Sequence, residues 1–461
     1  MARAPYQNGL TIATPVLPGH DAALAAVLDE INEAVPSHED LPFDQLERVH
    51  FLRWVVLPAA TDDLGRQTDS QLVLSTNYDE PLAAHLTELV DVGGPALDRI
   101  YQHCTGYPAP GERSDGDVIS YLRAHDVGYD TLYVGTRGRT VKQIRREADL
   151  RTAIQQFLDE RSREDPSLRG QSPEAVRASI QDFVRSDPDL SPKALLRSDS
   201  NFAWARSDPP EAPSRWPQPW DSTLFAALTT ALLLLVALPW ASGSGWALLG
   251  VEGALLLGGF GAYVAWLRRR ERRDEEFPPV TDYEHVRRLA ETEDRIVQNQ
   301  MSSVTTVKAG RLRYATLCTV LWAIDLFGRY VYTEGRLGSI SSIHFARWVA
   351  IDDGRRLVFF SNFDGSWENY LGDFIDKAAS GLTAVWSNTV GFPKTRFLVG
   401  AGARDEKRFK AYARNSQVLT QVWYSAYRDL TVQNINNNSA IRAGLFGDQT
   451  PAETRAWLRR L

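Results

Sequence analysis

Apolar residues along this 461-residue chain fall in short strand-like runs separated by longer runs of helical period. Leu10 to Val16 predicts a strand, and the apolar set Ala22, Ala23, Ala25, Ala26, Val27 and Ile31 predicts a helix from His20 to about Val35. Strands follow at Val49–Leu57 and Gln71–Tyr78, then a helix at Leu82–Tyr101 with a break or kink expected near Gly93-Gly94-Pro95. A helix about Val118–Ala124, a strand at Thr131–Gly135 and a helix from Thr140 to Glu160 close this half. The string reads β-α-β-β-α-β, the ferredoxin-like order.

The second half repeats it. A strand about Met301–Val307 leads to a helix at Leu312–Tyr332, then strands at Ile343–Ile351 and Leu357–Phe363 around the turn Asp352-Asp353-Gly354. A helix at Trp367–Val390, a strand at Arg396–Val399, a helix at Asp405–Arg414 and a strand at Thr420–Tyr424 follow. Individual residues recur as well. His50-Phe51-Leu52-Arg53-Trp54-Val55 returns as His344-Phe345-Ala346-Arg347-Trp348-Val349, and Asn77-Tyr78-Asp79 as Asn362-Phe363-Asp364. Gly106-Tyr107-Pro108 returns as Gly391-Phe392-Pro393, at the same distance of 29 residues from the preceding asparagine. Gln7-Asn8 and Gly19 match Gln298-Asn299 and Gly310. Order, chemistry and spacing together predict an internal duplication.

Between the copies, Ser222–Pro239 and Trp246–Leu267 are apolar enough to predict a two-helix transmembrane hairpin. Trp240 and Trp246 would mark one interface, and Trp216, Trp220 and Trp266 the other. Arg206 and Arg215 precede the first span, Arg268, Arg269, Arg270, Arg272 and Arg273 leave the second, and the turn is uncharged. The positive-inside rule then places both termini in the cytoplasm of a bacterial inner membrane. Gly250, Ala254, Gly258 and Ala262 form a smooth stripe that predicts packing by the first span or self-association. Glu252, near the outer boundary, is expected to reach the headgroups. The helix Leu312–Tyr332 is unusually apolar, but Arg313, Asp325 and Arg329 interrupt it, so it is expected to cover a sheet.

The expected organisation is therefore α+β. It has a ferredoxin-like domain at 1–160, a linker with one short helix at 161–221 and the membrane hairpin at 222–267. A basic juxtamembrane segment and helix at 268–297 and a second ferredoxin-like domain at 298–461 complete it. Charged residues at 24% and hydrophobic ones at 43% are ordinary for folded protein, and a formal charge of −7 argues against a nucleic-acid partner. The arginine-rich, lysine-poor and alanine-rich composition suggests a GC-rich bacterial genome. Two distant cysteines, Cys104 and Cys318, indicate neither a disulfide framework nor a zinc site. No apolar leader is evident at the N-terminus.

The recurring titratable residues are the candidates for chemistry. Strand alternation puts His344 and Trp348 on one face and Arg347 on the other, and likewise His50, Trp54 and Arg53. An arginine on an apolar strand needs a partner, and the nearby recurring acids are Asp79 and Asp364. Either Arg53–Asp79 and Arg347–Asp364 pin the hairpins, or the His, Arg and Asp side chains line a pocket for a cofactor or an anionic ligand. A duplicated ferredoxin-like unit with these residues near its sheets resembles the dye-decolorizing peroxidase and chlorite dismutase superfamily of haem proteins. That resemblance implies a haem, with His344 compared to the iron ligand and Asp364 and Arg347 to the groups that assist peroxide cleavage. The peroxidase Gly-x-x-Asp-Gly signature is incomplete here, since Ser361-Asn362-Phe363-Asp364-Gly365 lacks the first glycine. The leading expectation is a membrane-anchored binding or scaffolding module, and the alternative is a tethered haem peroxidase.

Overall fold

The computed structural model describes residues 7–61, 64–109, 111, 113–164, 170–190, 245–330 and 340–461, apart from the side chains of 245–250, 252 and 328–330. The chain is α+β. Nine-residue strands β1 (Gln7–Pro15), β2 (Val49–Leu57) and β5 (Gln71–Asp79) form most of one sheet, with a minor hairpin β3 (Ala60–Thr61) and β4 (Gln67–Thr68) beside it. Their counterparts β7 (Gln298–Thr306), β8 (Ile343–Ile351) and β9 (Arg356–Asp364) form most of the other. The pairing repeats in register, with Gln7 opposite Asp79 and Gln298 opposite Asp364.

The fourth strand of each sheet comes from the opposite half. Strand β6 (Thr131–Val134) pairs with β8, placing Thr131 opposite Trp348 and Val134 opposite Phe345. Strand β10 (Val422–Ser425) pairs with β2, placing Val422 opposite Trp54 and Ser425 opposite Phe51. The sheet orders are β1-β5-β2-β10 and β6-β8-β9-β7, all antiparallel. A self-contained unit would keep its last strand, so the halves are interlocked.

Three cores follow from strand alternation. Leu10, Ile12, Leu52, Trp54, Leu72 and Leu74 pack outward against helices α1 (Asp21–Glu33), α2 (Leu82–Tyr101) and α3 (Asp115–Ala124). Trp348, Leu357, Phe359 and Phe363 pack against a second helical layer that includes Arg311–Tyr330, Trp367–Lys377, Ala379–Trp386 and Glu406–Ser416. Between the sheets lie Phe51, Val55, Val73, Leu132, Phe345, Val349, Val358, Phe360 and Tyr427. The layers run helix, sheet, sheet, helix.

A fourth cluster joins helices α4 (Val141–Glu164), α5 (Pro173–Ser186), Val432–Leu445 and Pro451–Leu458 through Leu150, Ile154, Ile180, Val184, Ile441, Leu445 and Trp457. Helix α5 stands where a short helix is expected within the linker, and it is packed rather than free. Its Arg177 donates to the carbonyls of Gly444 at 2.9 Å and Gly447 at 2.8 Å. The helix α2 runs without interruption through Pro95.

The membrane topology is not supported. Among the described residues, no helix is long and apolar enough to cross a membrane. The expected first span, 222–239, lies outside the described residues. The second falls in α6 (Gly245–Glu271), whose C-terminal end is tied to polar backbone elsewhere in the chain. Buried Glu271 accepts from the amides of Phe397 at 3.0 Å and Leu398 at 2.7 Å and from the Thr395 hydroxyl at 3.0 Å. Arg268 donates to the Thr395 carbonyl at 2.9 Å, and the Tyr263 hydroxyl lies 3.1 Å from that of Thr316. Within the expected span Tyr263 makes such a contact, and Arg268 and Glu271 fix the helix just beyond it; no transmembrane hairpin is found among the described residues. The inner-membrane, multi-pass assignment with both termini cytoplasmic falls with it.

One buried titratable group in this scaffold has a measurable consequence. His85 on α2 is fully buried, stacked at 4.3 Å on Tyr78, with Nε2 at 2.8 Å from the Thr76 hydroxyl. Burial, followed by the Arg48 charge, pulls its pKa down to about 3. The unfolded chain binds the proton first, so stability is lost as pH falls below the usual histidine value and levels off near the folded one. Between pH 7 and pH 5 this amounts to about 2 kcal/mol. The variant H85Q, which keeps a donor toward Thr76, is expected to flatten that pH dependence in urea titrations; an unchanged slope would refute the assignment.

Candidate functional site

The repeated residues meet between the sheets, in a geometry that alternation alone does not yield. The register slips between Val49 and Phe51 and again between Ile343 and Phe345. Each slip is a β-bulge at the histidine, which turns His50 and His344 inward beside Phe51 and Phe345. Their rings cross the interface: His50 lies 5.3 Å from Phe345, and His344 lies 5.3 Å from Phe51.

The histidines, not the arginines, take the aspartates. His50 Nε2 is 3.1 Å from Asp79 Oδ1, and His344 Nε2 is 2.7 Å from Asp364 Oδ1. The second oxygen of each acid accepts a backbone amide at a following helix, Val141 for Asp79 at 2.9 Å and Val432 for Asp364 at 2.8 Å. A carboxylate at a helix N-terminus is favourable there. The His50 Nδ1 atom sits 2.9 Å from the Tyr427 hydroxyl. Burial, together with Asp79 and Asp364, holds that phenol well above its ordinary pKa, so it stays protonated. The matching residue in the first half is Thr136, and both Thr136 Oγ1 and His344 Nδ1 are without hydrogen-bond partners in the described chain. The Asp79–His50–Tyr427 chain can hold a proton, but both histidines are fully buried and a substrate cannot reach them.

The expected Arg53–Asp79 and Arg347–Asp364 contacts do not form. Each arginine instead crosses to the other half. Arg53 donates to the carbonyls of Met301 and Ser361, both at 2.9 Å, to the Ser302 hydroxyl and Gln300 Oε1, both at 3.1 Å, and to Asn362 Oδ1. Arg347 donates to the carbonyls of Leu10 at 2.9 Å and Thr76 at 2.7 Å, and to the hydroxyls of Thr11 at 3.3 Å and Ser75 at 2.5 Å. Leu10 faces Thr76 in one sheet, and Met301 faces Ser361 in the other. The arginines thus bridge equivalent strand pairs in opposite directions. Phe360 lies 5.4 Å from the Arg53 guanidinium and 6.0 Å from that of Arg347.

Without a bonded carboxylate, these charges are costly, and their pKa values reflect it. Burial and then Arg347 pull Arg53 down to about 9; burial pulls Arg347 down to about 10 against the opposing influence of Tyr129, Asp126 and Tyr78. Both remain protonated at neutral pH, because charged donors to carbonyls contribute about 1.5–3 kcal/mol each. Arg347 fits only because residue 9 is glycine: a Cβ there would stand 2.6 Å from Nη1.

This centre does not suit a haem. A tetrapyrrole needs an open slot beside a ligating nitrogen, and His344 is packed against Phe51 at 5.3 Å and Tyr427 at 5.9 Å. Phe51 and Phe345 meet at 5.8 Å where the slot would be.

Open space lies instead on the outer side of the second sheet. A cavity of about 660 Å³ is lined by Val320, Ile324 and Phe327 on the helix Arg311–Tyr330, by Trp348, and by Phe374 and Leu382. Its mouth carries Lys377, Arg404 and the carboxylate of Asp376. Lys377 is paired with Asp373 at 2.6 Å, whereas Arg404 has no carboxylate partner among the described residues. The corresponding place in the first half is filled: Leu41 packs so closely on Gly93 that a Cβ would meet it at 2.5 Å, and Trp54 is sealed. The repeat matches Ala378 to Gly93 and places Val320 and Ile324 where the first half has Asp29 and Glu33. This divergence was legible in the unusually apolar helix of the second half; the cavity and Tyr427 were not.

No family model matches the chain, and neither a curated protein nor a solved structure matches it.

Removing Arg347 leaves two carbonyls and two hydroxyls dry, which is expected to cost about 3 kcal/mol. R347K should recover little of it, since one ammonium cannot span two strands. Urea unfolding checks this, and wild-type stability in R347A would contradict a structural role. G9V should destabilise by expelling the same guanidinium.

Proposed function

We propose that this protein is a binding module made of two repeated α+β halves, each of which supplies the last strand of the other's sheet. The first unit and the inter-sheet core act as scaffold, and the second unit carries the ligand site. The ligand is an apolar small molecule with one anionic group. The observation that carries this reading is the 660 Å³ cavity beside Trp348, present in the second half where the first half is filled. Its volume lies within the usual range for small-molecule sites of about 300–1,000 Å³. Its lining is mainly aliphatic and aromatic, and at its rim Phe327 and Val399 are each about half exposed beside Asp376, Lys377 and Arg404. Arg404 at the mouth supplies a cation for the anionic end.

Alkyl chains of one length with different head groups test the proposal. Dodecanoate is expected to bind one site per chain, followed by Trp fluorescence and by titration calorimetry. The variant A323F should abolish binding of both dodecanoate and dodecanol by filling the cavity from the helix Arg311–Tyr330. R404Q should weaken dodecanoate by up to about fivefold and leave dodecanol unchanged, the scale of an exposed charge pair. Binding that survives A323F would place the ligand elsewhere and overturn the reading.

A further inference from the structure

A second, polar site stands at the other end of the same helix, and its physics is that of an anion receptor. A cavity of about 240 Å³ is lined by Arg270, Arg273, Asp274, Glu275, Lys308 and Arg313. Four cations face two carboxylates there. The helix Arg311–Tyr330 begins at its wall, which brings the positive end of the helix dipole beside it. Gly310, at φ +119°, makes the turn into the helix.

Arg313 makes this more than a helix terminus. Its residue surface is only 4% exposed, yet Nε and Nη1 have no hydrogen-bond partner in the described chain. The remaining nitrogen donates to the Ser387 carbonyl and lies 3.5 Å from Asp274 Oδ2. Asp274 is also committed to Lys308, whose Nζ is 2.6 Å from the same oxygen and 2.9 Å from the Ser387 carbonyl. One carboxylate therefore serves two buried cations. Burial lowers the pKa of both Lys308 and Arg313, as expected for charge not fully compensated. Arg270 and Arg273 are exposed at the entrance.

The duplication supplies a control. The strand-to-helix turn is repeated, with Lys308 N donating to the Asn388 carbonyl at 2.8 Å as Leu17 N donates to that of His103 at 2.9 Å. At the corresponding positions the first half has Leu17 and Ala22 in place of Lys308 and Arg313. Both cations belong to the second half alone and are not needed to build the turn.

We propose that this cavity binds a phosphate group, held by a free donor of Arg313, by Lys308 and by the amides of the helix N-terminus, with Arg270 and Arg273 at its entrance. A phosphate offers several acceptor oxygens, enough to meet a free Arg313 donor, the Lys308 ammonium and helix amides together, which a single carboxylate cannot do. The shared chemistry could come from a free phosphate or from a phospholipid headgroup. The inference is independent of the apolar cavity, and each site can fail without the other.

The test titrates inorganic phosphate into the full chain by calorimetry, and sediments the chain with phosphatidic acid vesicles against phosphatidylcholine vesicles. Saturable one-site phosphate binding, weakened at least tenfold in R313A and in R270Q/R273Q, is the expected result. Sedimentation with phosphatidic acid alone, lost in the same variants, would assign the site to a headgroup and equally support it. Should R313A not fold, R270Q/R273Q decides, because both side chains are exposed. Failure to bind either probe, or binding indifferent to these substitutions, overturns the proposal and leaves a pocket filled by water.

Discussion

Two arginines buried between two sheets, without a carboxylate bonded to either, set the terms for the rest of the molecule. A guanidinium in such a place persists only if its donors are met by other oxygens. Here those oxygens belong to the opposite half in both directions: Arg53 bonds Met301 and Ser361, and Arg347 bonds Leu10 and Thr76. Neither half can satisfy its own arginine. The exchanged strands carry the same dependence into the backbone, since Thr131–Val134 and Val422–Ser425 each complete the other half's sheet.

The inner centre repeats closely while the outer layers diverge. The stack of Tyr78 on His85, bonded to Thr76, reappears as Phe363 on Tyr370, bonded to Ser361. Residues that hold the sheets together tolerate little change, because each contact is made by a fully buried group. The outer helices face fewer constraints. There the second half acquires both an apolar cavity beside Trp348 and a cationic one beside Arg313, at opposite ends of the helix Arg311–Tyr330. Specialisation thus sits where the shared frame does not depend on it.

Much of the strand pattern was legible in the sequence, and Val49–Leu57 and Ile343–Ile351 carry the bounds that alternation indicates. The strand exchange was not, because pairing across some three hundred residues leaves no local signal. Placing the histidines on the face of Trp54 and Trp348 failed for a local reason: one bulge residue reverses the alternation, and nothing in His50-Phe51 announces it. The aspartates were placed beside the right strands but given the wrong partner, since the bulge brings the imidazoles to them first. The helices Val432–Leu445 and Pro451–Leu458 went unread. Asn434, Asn436, Asn437 and Asn438 are weak helix formers, although the boxes Thr431 to Asn434 and Thr450 to Glu453 are sound start signals. The apolar run 246–267 satisfies a hydropathy pattern, but the residues that follow it, Arg268 and Glu271, are held by polar contacts that composition does not reveal.

Interlocking is the central property, and native-state hydrogen exchange read peptide by peptide along a denaturant series measures it most directly. If neither half folds without the other, amides in Gln71–Asp79, Arg356–Asp364 and the two exchanged strands open together, with one free energy and one denaturant slope. Two separate openings, one for the first sheet and one for the second, would contradict it.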